Sequence, residues 1–117
     1  MVVRVLAYEP DLLFSSKIES AGKQFGVEVR VATNMKDVLQ VLGQSLPDIL
    51  LVNLDALRER NESLNELAKQ KCRMVGYYSH MEEDSAKEAT RAGFEVVVPR
   101  RSFAVKLHDI LATVTLG

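Results

Sequence analysis

The 117-residue chain has no tryptophan and one cysteine, Cys72. An intramolecular disulfide is therefore impossible, and a reducing compartment, the cytoplasm, is the expected location. With three prolines and six glycines, the chain has no linker, low-complexity tract or internal repeat. No apolar run approaches the roughly 18 residues of a membrane span, and the amino terminus begins directly with the strand-like VVRVLAY instead of a charged signal-peptide start. An excess of one charge is missing as well. Fifteen Lys and Arg against sixteen Asp and Glu leave a formal net charge of -1, so no global field draws the chain onto nucleic acid or an anionic membrane. No G-x-S-x-G and no local Ser/His/Asp or Cys/His set occurs, and no enzymatic activity is expected.

The remaining composition, 47% hydrophobic and 26% charged, suits one globular domain spanning residues 1–117. Its densest apolar segment lies in Pro47 to Asp55, PDILLVNLD, where Ile49 to Leu54 is apolar except at one position. Such a run, without alternation and too short for a free-standing helix, reads as a strand buried on both faces of a parallel sheet. In an open sheet of this kind, ligands and chemistry collect at the carboxyl ends of the strands. The polar residue at that end is Asn53, which is neutral, does not titrate, and is a weak metal ligand beside a carboxylate.

Around this strand the chain alternates. Val2 to Tyr8 is a first strand, stopped at Glu9-Pro10-Asp11 because Pro10 has no amide hydrogen to give. Phe14, Ile18, Ala21 and Phe25 recur at steps of 4, 3 and 4 as the stripe of a helix closed by Gly26. Val27 to Ala32 alternates like an edge strand. Asn34 and Asp37 resemble a capping box for a short helix that buries Val38, Leu39 and Leu42 and ends before Gly43. Leu57, Leu64, Leu67 and Ala68 mark a third helix with alternating charge from Arg58 through Glu66 to Lys69. Arg73 to Tyr78 is a fourth strand. Glu82, Glu83 and Asp84 open a fourth helix that buries only small residues, Ala86, Ala89 and Ala92, before Gly93. Phe94 to Val98 is a fifth strand, Pro99-Arg100-Arg101 a solvated turn, and Phe103, Leu107, Ile110 and Val114 the stripe of a closing helix. Five strand-helix pairs predict an α/β fold with a parallel sheet, helices on both faces and right-handed crossovers.

Three segments carry a resemblance. Arg4-Val5-Leu6 through Glu9-Pro10-Asp11-Leu12-Leu13, Pro47 through Leu54, and Ala92-Gly93 through Val98-Pro99-Arg100 are similar, in this order and spacing, to the opening strand, phosphoacceptor strand and last turn of bacterial response-regulator receiver domains. The resemblance covers essentially the whole chain. It implies a flavodoxin-like (βα)5 doubly wound fold, a five-stranded parallel sheet in the order 2-1-3-4-5. It also implies a site of two acidic residues and an acceptor aspartate that bind magnesium, with a sensing hydroxyl and a lysine. Here the pattern is broken. The acceptor position falls on Asn53, the lysine on Arg100, and the hydroxyl on Tyr78 or Ser79. The acidic pair falls on Glu9 and Pro10 counted from the strand start, or on Ala7 and Tyr8 matched on the turn.

With at most one of three carboxylates left, neither magnesium binding nor an acyl phosphate is expected, and no cofactor. Glu9, Asp11 and Asp55 do not make a metal site by sequence, since Asp55 lies two residues past Asn53 and Asp11 suits the helix cap. Asn53 reads either as a neutral lock or as a residue bonded to loop backbone. Tyr8 fills core or the emptied pocket, His80 is a loop or cap residue, and Cys72 is structural. The expected function is a phosphorylation-independent pseudo-receiver signalling module. It binds a protein partner or a second copy through the fourth helix, fifth strand and fifth helix, where Tyr77, Tyr78, Glu82, Arg100 and Arg101 are candidate contacts. The alternative is a small-ligand binder of flavodoxin-like fold taking a nucleotide or flavin, which the acidic, glycine-free turn Tyr8 to Asp11 does not favour.

Overall fold

The computed structural model describes residues 3–57, 60–80 and 82–116. Its elements are β1 (Arg4–Tyr8), α1 (Leu12–Gln24), β2 (Glu28–Ala32), α2 (Met35–Gln44), β3 (Ile49–Asn53), α3 (Arg60–Ala68), β4 (Arg73–Tyr78), α4 (Glu83–Arg91), β5 (Val96–Pro99) and α5 (Arg100–Leu116). A 3-10 turn, Leu54–Ala56, follows β3. All strand pairs are parallel and the sheet order is β2-β1-β3-β4-β5, the flavodoxin-like arrangement. Among the described residues no helix is long and apolar enough to cross a membrane.

Strand periodicity of two explains how the sheet is covered on both faces. Val5, Ala7, Ile49, Leu51, Val75 and Tyr77 pack with Phe14 and Ile18 of α1 and Phe103 and Leu107 of α5. The intervening Leu6, Tyr8, Leu50, Val52 and Met74 pack with Val38 and Leu42 of α2, Leu64 and Leu67 of α3 and Ala89 of α4. The unbroken apolar run of β3 thus has no exposed face, and Ile49 to Val52 are all 0% exposed.

Local signals set the element ends. The Asp11 carboxylate accepts the Leu13 amide and starts α1, and Gly26, at φ 67°, ends it in the left-handed region that a side chain disfavours. Asn34 and Asp37 close α2's start reciprocally, the Asn34 Oδ1 accepting the Asp37 amide at 2.9 Å while Nδ2 donates to the Asp37 carboxylate at 3.1 Å. Four boundaries differ from the sequence expectation. α2 runs through Gly43 to Gln44, because nothing there demands a positive φ and the Ser45 amide still reaches the Val41 carbonyl. α3 starts at Arg60, since Leu57 is drawn into the core ahead of it, and Ala68 is exposed, outside α3's buried stripe. Phe94 precedes β5 with its ring in the α2–α4 layer. Pro99-Arg100-Arg101 is no turn: β5 passes straight into α5, because buried Phe103 pulls the first helical turn onto the sheet. Val2 and Arg58, expected in the first strand and on the third helix, lie outside the described residues.

At Gly76 in β4 the second layer lies close against the sheet. A Cβ there would lie 2.8 Å from Leu54 Cδ1 and 3.2 Å from Phe94 Cδ2, both buried. Gly76→Ala is expected to cost about 1–3 kcal/mol in urea unfolding. Gly43→Ala, with nothing within 4 Å of its Cβ, should instead be neutral or stabilising by up to about 1 kcal/mol. Equal effects at the two sites would refute this packing.

Candidate functional site

The face shared by Val5 and Ala7, Ile49 and Leu51, and Val75 continues, one step further along each strand, to Glu9, Asn53 and Tyr77. Asn53 is in register with Tyr77, and Tyr8 with Val52, so the three polar side chains stand abreast at the carboxyl edge of β1, β3 and β4. The Glu9 amide donates to the Ala32 carbonyl at 3.0 Å, extending the β1 ladder one residue past Tyr8.

Glu9 has 0% exposure. Asn53 Nδ2 donates to its Oε2 at 2.9 Å and to Oε1 at 3.2 Å, the Tyr77 hydroxyl donates to Oε1 at 2.8 Å, and the Asp11 amide donates to Oε2 at 3.1 Å. Every one of these bonds is accepted by Glu9, the pattern that suits a carboxylate. Asn53 is used at both ends, since its Oδ1 also accepts the Asp55 amide at 3.0 Å and caps the 3-10 turn. An aspartate there could not donate to Glu9.

Tyr77 is held by aromatic packing. Its ring stacks on Phe103 with centroids 4.3 Å apart and meets Phe14 at 5.3 Å. Burial pushes its phenol well above the ordinary tyrosine range, and the neighbouring Glu9 charge and hydrogen bond add to the rise. Arg100 covers this cluster, its guanidinium 4.0 Å from the Phe14 centroid and its NH2 group 3.1 Å from Asp11 Oδ2. The Arg100 hydrogen bond, with the Leu13 amide second, holds the Asp11 carboxyl below its usual range. Asp55 clamps the loop after β4, accepting the Ser79 amide at 2.6 Å and the His80 amide at 3.2 Å.

Of the residues expected at the emptied pocket, Glu9 and Asn53 come together directly and Arg100 stands nearby through Asp11. Tyr8 does not. Its parity turns it to the opposite face, where it is buried and its hydroxyl donates to the Ala56 carbonyl at 2.9 Å. Thus Glu9, and neither Ala7 nor Tyr8, is the group beside Asn53. Pro10 is exposed, Tyr78 packs half-buried against the α2–α4 layer, and Ser79 is exposed with its amide on Asp55. Two expectations for the contact face are corrected. Tyr77 cannot be a surface contact, because its parity puts the ring at 0% exposure among Phe14 and Phe103. Arg100 is not a freely solvated residue, being committed to Asp11 and Phe14. Glu82 and Arg101 are exposed. Sequence reasoning missed Tyr77 as the donor to Glu9 and Asp55 as the loop clamp. Strand parity says only that Tyr77 and Tyr78 point oppositely, and the register with Asn53 is what puts Tyr77 on Glu9's face; no sequence signal marked Asp55.

No protein-family model matches the sequence, and no curated protein matches it at a significant level. Solved structures do match. A response regulator from Thermotoga maritima superposes with a TM-score of 0.83 at 12% identity, covering 100% of both chains. The chemotaxis response regulator CheY4 of Vibrio cholerae gives 0.82 at 13% identity over 97% of this chain and 99% of its own. A response regulator from Hahella chejuensis gives 0.80 at 19% identity over 96% and 94%. The chain therefore has the fold of response-regulator receiver domains.

Tyr77→Phe keeps the ring stack and removes the donor to Glu9 Oε1, and is expected to cost about 1–3 kcal/mol at neutral pH. Because the folded state holds the phenol proton more tightly than the unfolded chain, this hydroxyl's contribution is intact below the unfolded tyrosine value of about 10 and lost as pH rises above it. Urea midpoints measured across that range should fall more steeply for the wild type than for the Phe variant. Parallel curves would remove Tyr77 from the Glu9 cluster.

Proposed function

We propose that this domain is a pseudo-receiver, a signalling module that acts by protein contact without taking up phosphate. The observation that carries the reading is the bond between Asn53 and Glu9. The residue at the end of the central strand is an amide whose nitrogen is engaged with Glu9 and whose oxygen is engaged with the Asp55 amide.

The residues do not fit the magnesium that the fold family implies. Both Glu9 oxygens already accept donors, Asp11 is shared between the α1 cap and Arg100, and the two Asp55 oxygens take backbone amides. A hard cation needs several carboxylate or carbonyl oxygens turned toward one point. Without an acceptor carboxylate at position 53, an acyl phosphate has no atom on which to form. Function then falls to the surface, and the reading keeps the face of α4, β5 and α5. There α4 is held through small side chains, Ala86 and Ala89, and Arg101 and Glu82 offer opposite charges to a partner or a second copy.

Beryllofluoride with magnesium is expected to leave the amide NMR peaks of Asn53, Tyr77 and Ser79 in place, while Arg101→Glu weakens self-association or partner capture with the unfolding midpoint unchanged. Saturable beryllofluoride shifts at those residues, or a phosphoryl mass shift after acetyl phosphate, would contradict the first half. Unchanged association in ultracentrifugation and pull-down would move the contact face elsewhere. Arg100→Glu is not a clean probe, because it sets a second carboxylate against Asp11.

A further inference from the structure

The sheet has two open edges, β2 and β5, and they differ in what they offer a partner. β5 is the shorter strand, carries no charge and ends at Pro99. β2 reads Glu28-Val29-Arg30-Val31-Ala32, without the proline or lysine that commonly blunts an edge. Its two charges are of opposite sign.

The β1–β2 ladder shows which backbone groups of β2 are left over. The Glu28 amide donates to the Val3 carbonyl and the Ala32 carbonyl accepts the Glu9 amide, both at 3.0 Å, so Glu28, Arg30 and Ala32 turn their peptide groups toward β1. By the alternation of a strand, Val29 and Val31 turn theirs outward, where no backbone group of the described residues meets them. Val29, in register with Val5, is half-buried against the α1/α5 layer. Glu28 and Arg30 stand exposed on the other face, with no ion pair among the described residues.

These features select one arrangement of two copies. In a two-fold antiparallel pairing, residues with outward peptide groups must face one another across the edge. Centred on Glu28, the pairing sets that carboxylate against itself, and centred on Arg30 it sets the guanidinium against itself. Centred on Val29, it places Glu28 of each copy opposite Arg30 of the other, so both cross-strand pairs are of opposite charge. The two Val29 residues then exchange both backbone bonds, and each Val31 amide reaches the Val27 carbonyl of the other copy. The Val27 amide takes no part, since it already donates to the Gly22 carbonyl.

We propose that β2 is a dimerisation edge, at which two copies of this chain join antiparallel about Val29 into one continuous sheet. Main-chain bonds supply the contact, and the Glu28–Arg30 pairs fix its register. The inference is independent of the α4, β5 and α5 contact face, which lies at the opposite side of the sheet. Arg101→Glu reports on that face and changes at Glu28 and Arg30 on this one, so either reading can fail alone.

The test is sedimentation equilibrium at low ionic strength in the Arg101→Glu background, which silences the other face. A monomer–dimer equilibrium is expected. Glu28→Arg or Arg30→Glu alone sets like charges opposite at both cross-strand contacts, and each should weaken dimerisation about tenfold with the unfolding midpoint unchanged. Mixing the two single variants restores opposite charge at both contacts, so a heterodimer should form about as tightly as the parent dimer. Amide exchange at Val29 and Val31 should slow as concentration rises, and change less at Arg30, whose amide is already turned to β1. The proposal is overturned if the chain is monomeric at every concentration, if the single variants dimerise like their parent, or if their mixture associates no more tightly than either alone. It is equally overturned if the Val29 and Val31 amides exchange slowly in the dilute monomer, which would put a segment of the chain itself on this edge. Growth beyond the dimer, the mark of β2 joining β5 head to tail, would also overturn it.

Discussion

A carboxylate with no exposed surface is the constraint on which the carboxyl edge of this sheet depends. Burying such a group without partners costs several kcal/mol, on the order of 3–5 when one partner of a buried pair is removed. Glu9 therefore requires donors, and it takes them from the Asn53 amide on β3, the Tyr77 hydroxyl on β4 and the Asp11 amide at the start of α1. In a sheet of parallel strands these ends would otherwise be joined only by backbone ladders. Glu9 links three of them through side chains. In this setting Asn53 supplies the hydrogens that a buried neighbouring carboxylate needs.

The surrounding groups extend the same arrangement outward. Tyr77 can donate to Glu9 because Phe103 and Phe14 fix its ring, and Arg100 lies over Phe14 while pairing with Asp11. Asp55, whose amide is held by Asn53, fixes the loop after β4 through the Ser79 and His80 amides. The polar groups at this edge are thus bonded to one another and to the loops. In our proposal the signal passes through the helix faces rather than through this closed edge.

The fold was legible because the periodicities were clean. The apolar run Ile49 to Val52 had to be buried on both faces, Gly26 and Gly93 closed helices at φ 67° and 109°, and the Asn34–Asp37 box opened α2 where expected. Boundaries failed where tertiary packing overrode local signals. Phe103 drew Arg100 and Arg101 into α5 despite Pro99, and Leu57 entered the core ahead of α3. At the site, sequence identified Glu9, Asn53 and Arg100 but could not choose between two registers for the first loop. That choice depends on which face Tyr8 occupies, a matter of pairing with β3. Tyr77 was read as a possible surface ring because adjacent tyrosines in a strand point oppositely, and only register with Asn53 tells which points inward.

The central claim, that Asn53 is there as the donor to Glu9, is tested most directly by reversing the pair. Asn53→Asp sets two carboxylates against each other and is expected to lower urea stability by about 1–3 kcal/mol at neutral pH. Adding Glu9→Gln restores a donor facing an acceptor across the same contact, and the double variant should recover more than half of that loss. A single Asn53→Asp variant as stable as the wild type, or a double variant at least as unstable as the sum of the two single changes, would contradict the account.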